Sequence, residues 1–113
     1  MKRGEIYLVD LGPGVGYEAS GIRPVVVVSN DVNNLSPLVV LVVPAVPTSD
    51  TLATIGIRVP AVDSGYAEDI AVIERHPRAL DASRFPNQPS GGIPDSVMAK
   101  IEWALVVELD LKP

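Results

Sequence analysis

Residues 21–28, GIRPVVVV, and 38–46, LVVLVVPAV, decide what kind of core this chain can build. Four β-branched residues follow Pro24 without a polar break, which reads as a strand buried on both faces. The second run reads as a second fully apolar strand, with Pro44 near its end or at a bulge. Outward from this pair, residues 5–11 (EIYLVDL) alternate Ile6, Leu8 and Asp10 with Tyr7, Val9 and Leu11, a strand with one face better buried. Ile55, Ile57 and Val59 alternate with Gly56 and Arg58, and residues 69–74 (DIAVIE) give a further strand. Turn-forming residues separate them: GPGVG at 12–16, in a loop running to about Ile22, NDVNN at 30–34, and PTSD at 47–50. Short strands with no long helix between them predict an antiparallel sheet or small barrel.

The period changes near the end. Pro94 suits a first helical position, and Asp95 puts negative charge in the first turn. Val97, Ile101, Ala104, Leu105 and Glu108 follow helical spacing, so a helix over 94–108 should pack on the sheet. Trp103, Val106 and Val107 fall off that core face, where partial burial at the helix edge competes with a subunit interface. A Trp-Val-Val patch tips the reading towards the interface.

Composition bounds the chemistry. The 113 residues predict one domain, 1–113, and 47% hydrophobic residues exclude disorder as the main state. Aromatic residues are 4%, so Val, Leu and Ile must fill the core. With no cysteine, a disulfide scaffold, a zinc ribbon and a thiol nucleophile are excluded. A single histidine, His76, excludes multi-histidine metal sites. The net charge of −5 argues against non-specific binding to duplex DNA or anionic membrane, yet permits a local basic groove. Glu5 and Asp10 interrupt what a signal segment after Met1-Lys2-Arg3 would need, and the longest apolar run falls far short of a bilayer span. These features predict a soluble, cytoplasmic protein.

Several side chains can carry chemistry. Glu18 can accept a proton, and Arg23 offers a fork that matches phosphate oxygens. Thr48 and Ser49 follow a buried strand, where a hydroxyl can reach a phosphate. For each, an ordinary loop or turn role is the blander reading, and spacing alone favours it. Arg75, His76, Arg78 and Arg84 form a cationic cluster that makes a groove if it folds beside Arg23. Histidine ordinarily exchanges protons near neutrality, although Pro77 stiffens this one's surroundings. No phosphate-binding Gly-Lys-Ser/Thr loop and no metal-ligand spacing occur.

In order along the chain stand Arg3-Gly4-Glu5-Ile6-Tyr7, then Pro13, Gly16 and Glu18, then Gly21-Ile22-Arg23-Pro24-Val25-Val26-Val27. Val42-Val43-Pro44 with Thr48-Ser49 follow, then Pro77-Arg78-Ala79-Leu80-Asp81, then Ile93-Pro94 with Met98 and Ile101. Together they resemble the MazF/PemK/Kid family of toxin–antitoxin ribonucleases over nearly the whole chain. The resemblance implies a mainly β fold, a small SH3-like antiparallel β-barrel with a C-terminal helix, working as a homodimer. It implies metal-independent, sequence-selective cleavage of single-stranded RNA by 2′-hydroxyl attack, with no cofactor, and neutralisation by a cognate antitoxin whose flexible segment covers the RNA groove.

Residue by residue, the resemblance assigns Arg23, Thr48 and Glu18 to catalysis. It assigns Tyr17, Ser49, Arg75, His76 and Arg78 to the substrate. Two extra residues after Pro44 leave two placements for the catalytic hydroxyl: Thr48 keeps it, and Val46 loses it. Kid-like members have a histidine where Tyr17 stands, and an Arg and an Asp where Ile73 and Arg75 stand, so Glu74, Arg75 and His76 are possible substitutes. These departures keep a second reading open, a non-enzymatic binding module or gyrase-type inhibitor on the same fold. An acidic RNA binder must gather its cations. Arg23, Arg75, Arg78 and Arg84 are therefore expected in one groove, with Tyr17 or Phe85 stacking on bases. Lys2 and Lys112 should lie outside it or at its rim, and Asp63, Glu68, Asp95, Glu102, Glu108 and Asp110 should face elsewhere.

Overall fold

The structure is a computed structural model that describes residues 1–112. The two valine-rich runs form its centre. Strand β2 (Ile22–Val27) pairs antiparallel on one side with β1 (Glu5–Asp10) and on the other with β3 (Val39–Pro47). Strand β3 is long enough to serve three partners. Its residues 42–44 pair with β2; on the opposite edge, 39–42 pair with β6 (Arg78–Asp81) and 45–47 with β5 (Ile70–Val72). The change of partner falls at Pro44, which has no amide hydrogen to donate but whose carbonyl accepts from the Ile73 amide at 2.8 Å. Strand β4 (Ile57–Val59) extends β5, and the two-residue β7 (Gly91–Gly92) flanks β1.

All pairings are antiparallel, as expected, and the ladder runs β4-β5-β3-β2-β1-β7 with β6 beside β3. Among the described residues no pairing joins β7 to β4, so the sheet is a half-barrel. Gly91 presses against the turn after α2 (Ala61–Ser64), so near that a Cβ there would sit 2.7 Å from the Ser64 carbonyl oxygen. Lack of a side chain therefore lets β7 lie against that turn.

Residues 25–27 and 42–46 are buried on both faces of the sheet, whereas the start of the second apolar run alternates, with Leu38, Val39 and Leu41 exposed. On one side Ile6, Val26, Val43, Ala45, Ile70 and Val72 pack with Met98 and Ile101 of α3 (Asp95–Glu108). On the other, Tyr7, Val9, Val25, Val27, Val40, Val42 and Leu80 pack with Ala19 from the first loop. The Tyr7 and Phe85 rings meet edge to face there, with centroids 5.5 Å apart. Burial, reinforced by a hydrogen bond to Glu5 and by that residue's charge, pushes the Tyr7 hydroxyl up to about 12.

Several boundaries differ from the sequence reading. Strand β2 starts at Ile22 rather than after Pro24, and β3 runs one residue further, to Pro47. Pro94 caps α3 and is not its first helical residue. Ile55 belongs to a short 3-10 helix, Thr51–Ile55, not to the strand that follows. Asp50 accepts from the Leu52 amide at 2.9 Å and so starts a helical turn where alternation alone suggested extended chain. The turn α1 (Asp31–Asn34), α2, β6 and β7 carry too few apolar residues to announce themselves.

The outer side of α3 is bare. Trp103 and Val107, one turn apart, are 62% and 61% exposed, while Val106 is partly covered. A second exposed apolar surface carries Val32, Leu35 and Leu38.

Candidate nucleic-acid interface

Loop 12–21 is fixed at both ends and in its middle. At its base the Leu11 amide donates to the Gly21 carbonyl and the Gly21 amide to the Gly12 carbonyl, each at 2.9 Å. In its middle, Ala19 is buried in the second core cluster, so its neighbours Glu18 and Ser20 are held at the surface. The Val15 amide donates to Glu18 Oε1 at 2.7 Å, leaving the other carboxylate oxygen free to act. Gly14 makes this compact turn possible: a Cβ there would lie 2.8 Å from the Glu18 carbonyl oxygen.

Arg23 stands opposite Val9 near the start of β2, and pairing with β1 there fixes its origin. Its side chain is partly buried, and its Nε is buried with no hydrogen-bond partner. A buried donor without a partner is costly, and an anion's oxygen would satisfy the guanidinium.

Three hollows adjoin around the loop. The first, about 470 Å³, is lined by Tyr17, Glu18, Pro44, His76, Pro77 and Arg78, among others. The second, about 450 Å³, is bounded by Tyr17, Thr51, Leu52, Thr54, Ile55, Arg75, His76 and Glu108. The third, about 170 Å³, contains Tyr17, Glu18, Ser20, Arg23, Val46, Asp50, Thr51 and Leu52. Tyr17 lines all three and is 83% exposed, which makes it the hinge of one continuous groove.

The groove thus gathers Arg23, Glu18, Tyr17, Arg75, His76 and Arg78 from the sequence expectation. Thr48 and Ser49 are not brought to it. They lie in the turn beyond β3, and the position lining the Arg23 hollow is Val46, the alternative left open by the two extra residues. Besides the Tyr17 phenol, the hydroxyls that do line that hollow belong to Ser20 and Thr51. Sequence reasoning missed Thr51 because only the Asp50-capped turn swings it back to the first loop. Glu74 is buried and lines none of the three hollows.

Two charge expectations are corrected. Arg84 stays outside the groove, where its Nη1 donates to the Asp10 carbonyl at 3.1 Å. Glu108 faces into the groove instead of away, with its Oε2 3.9 Å from Arg75 Nε. Both partners are about half exposed, so this pair holds Arg75 only weakly. Phe85 is turned to Tyr7, which leaves Tyr17 as the stacking surface. Among the described residues, no group of three or more His, Cys, Asp or Glu is placed to hold a metal ion. Nor is any described helix long and apolar enough to cross a membrane.

Comparison with known proteins adds to this geometry. Residues 2–109 match the family described as "PemK-like, MazF-like toxin of type II toxin-antitoxin system". Endoribonuclease EndoA of Bacillus subtilis is 30% identical over 98% of this chain and 96% of its own length. Endoribonuclease MazF of Staphylococcus saprophyticus is 34% identical over 98% and 92% respectively. The crystal structure of MazF from Deinococcus radiodurans has the same fold, with a TM-score of 0.77 at 21% identity over 97% of this chain and 96% of that one. An endoribonuclease from a mycobacterial species, solved in complex with its cognate antitoxin, superposes with a TM-score of 0.74 at 23% identity, over 100% and 96%.

Proposed function

The chain belongs to the PemK-like, MazF-like toxin family of type II toxin–antitoxin systems, and from that premise we propose how its groove cuts RNA. It is an endoribonuclease toxin, and single-stranded RNA lies along the three adjoining hollows. The observation that carries the reading is the meeting of a partly buried arginine, a carboxylate and an exposed aromatic ring at one point, with Arg75, His76 and Arg78 alongside.

In this mechanism the scissile phosphate sits against Arg23. Glu18, through its uncommitted oxygen, removes the proton from the neighbouring ribose 2′-hydroxyl. The 2′-oxygen bonds to phosphorus, and the bond from phosphorus to the 5′-oxygen breaks. That leaves a 2′,3′-cyclic phosphate and a 5′-oxygen that takes up a proton. Negative charge grows on the non-bridging oxygens as the 2′-oxygen adds, and Arg23 is placed to stabilise it. The nucleophile comes from the substrate, so no metal-bound water is needed. Tyr17 offers its face to a base, with about 1–3 kcal/mol expected from such stacking.

The rest of the reading is that the protein works in the cytoplasm as a homodimer and a single domain, and that a cognate antitoxin silences it by occupying the same groove. The experiment is incubation of the purified protein with a long RNA in chelator, followed by mapping of both ends at each cut. Cyclic phosphate and 5′-hydroxyl ends at a short recurring sequence are expected. RNA that is bound and left whole would instead make the protein a binding module.

A further inference from the structure

A phosphate in the Arg23 hollow has two non-bridging oxygens that a guanidinium fork can grip together, and a further donor from the hollow's own wall would share the charge that develops on them. The floor offers none, because Val46 is aliphatic and 1% exposed. Three side chains with hydroxyls line it: Tyr17, whose ring is given to base stacking, and the two aliphatic ones, Ser20 and Thr51.

Thr51 is better placed of the two. It also lines the adjoining hollow with Arg75 and His76, whereas Ser20 does not. It therefore stands where the two hollows, of about 450 and 170 Å³, adjoin, on the path of a strand that runs from one to the other. Its hydroxyl makes no hydrogen bond among the described residues, while Thr54 Oγ1 is committed to the Thr51 carbonyl at 3.0 Å. Its backbone is held by Asp50, which accepts from the Leu52 amide and whose own amide donates to the Pro47 carbonyl, both at 2.9 Å. A free donor on a fixed turn is what pre-organised stabilisation of charge requires.

We infer that Thr51, and not Thr48, is the hydroxyl that donates to the scissile phosphate beside Arg23. The Thr51 proton is shared with a phosphate oxygen and returned, so no bond to Thr51 forms or breaks. This inference rests on the endoribonuclease reading and deepens it.

The test compares single-turnover RNA cleavage by Thr51→Val, Thr51→Ser, Ser20→Ala and Thr48→Val, with melting temperature and binding to a 2′-deoxy substrate measured for each. Thr51→Val is expected to lose on the order of 10²-fold in rate, the usual effect of deleting one such donor, with binding and melting little changed. Thr51→Ser should keep most of the rate, Ser20→Ala should lose less than Thr51→Val, and Thr48→Val, in the turn outside the groove, should cleave within a few-fold of the parent protein. A folded Thr51→Val that cleaves normally overturns the assignment while leaving the activity in place, as does a large loss in Thr48→Val instead. Failure of the parent protein to cleave RNA overturns the underlying reading, and is seen before any variant is compared.

Discussion

At the scale of the residue, position matters more than type. Nine lysines and arginines occur in the chain, yet three of them line the groove. Arg23 differs from Arg84 in where its strand begins: β2 presents Arg23 beside the first loop, whereas Arg84 is spent on the Asp10 carbonyl. Tyr7 and Tyr17 show the same contrast. Tyr17 is open to a ligand, and Tyr7 is a core residue whose proton is held to about 12. Because the folded value lies above the unfolded one, folding favours the protonated phenol. The stability this contributes is complete below pH 10 and is lost as the pH rises from 10 towards 12. Tyr7→Phe should therefore flatten the fall in unfolding free energy across that window, measured by denaturant titration at stepped pH. Tyr66 is also shifted upward, by burial first and then by Glu68, so part of the fall should persist. An unchanged slope in Tyr7→Phe would contradict the assignment.

At the scale of the element, the first valine run was legible because burial on both faces leaves an unbroken apolar pattern, and the final helix because its buried positions follow helical spacing. Val25, Val26 and Val27 are each fully buried, and Met98 and Ile101 cover the sheet. Arg23 and Glu18 were legible too, through motifs at the ends of those strands. What could not be read was anything that depends on where β3 stops. Whether Thr48 or Val46 faces Arg23 turns on the register of one strand, and a shift of register redirects every side chain. Thr51 was hidden for a related reason, since it reaches the groove by way of a capped turn and not by a motif. Gly91-Gly92 has no side chains with which to advertise a strand. The outer side of α3 carries a prediction of its own. Burying Trp103 and Val107 in a homodimer would contribute roughly 1.5–3 kcal/mol per side chain. Sedimentation at micromolar concentration should show a dimer, and Trp103→Lys with Val107→Lys should shift it to monomer. A dimer indifferent to both changes would move the interface to the surface of Val32, Leu35 and Leu38.

At the scale of the whole molecule, an acidic protein of net charge −5 handles RNA by local concentration of charge. Arg23, Arg75 and Arg78 are drawn to one groove by three separate elements: the start of β2, the turn after β5 and the start of β6. Glu18 and Glu108 share that groove, so phosphate binding there competes with carboxylates of the protein itself. Few cations mean few counterions released and a modest dependence on salt, with Tyr17 adding stacking that salt does not screen. In the proposed mechanism the groove's purpose rests on Arg23 stabilising charge on a reacting phosphate. The most direct measurement is single-turnover cleavage of an RNA carrying one cut site, in chelator, by the parent protein and by Arg23→Ala of equal melting temperature. The account predicts cleavage by the parent and a loss of about 10²–10³-fold in rate for the variant. Equal rates for the two proteins would contradict it.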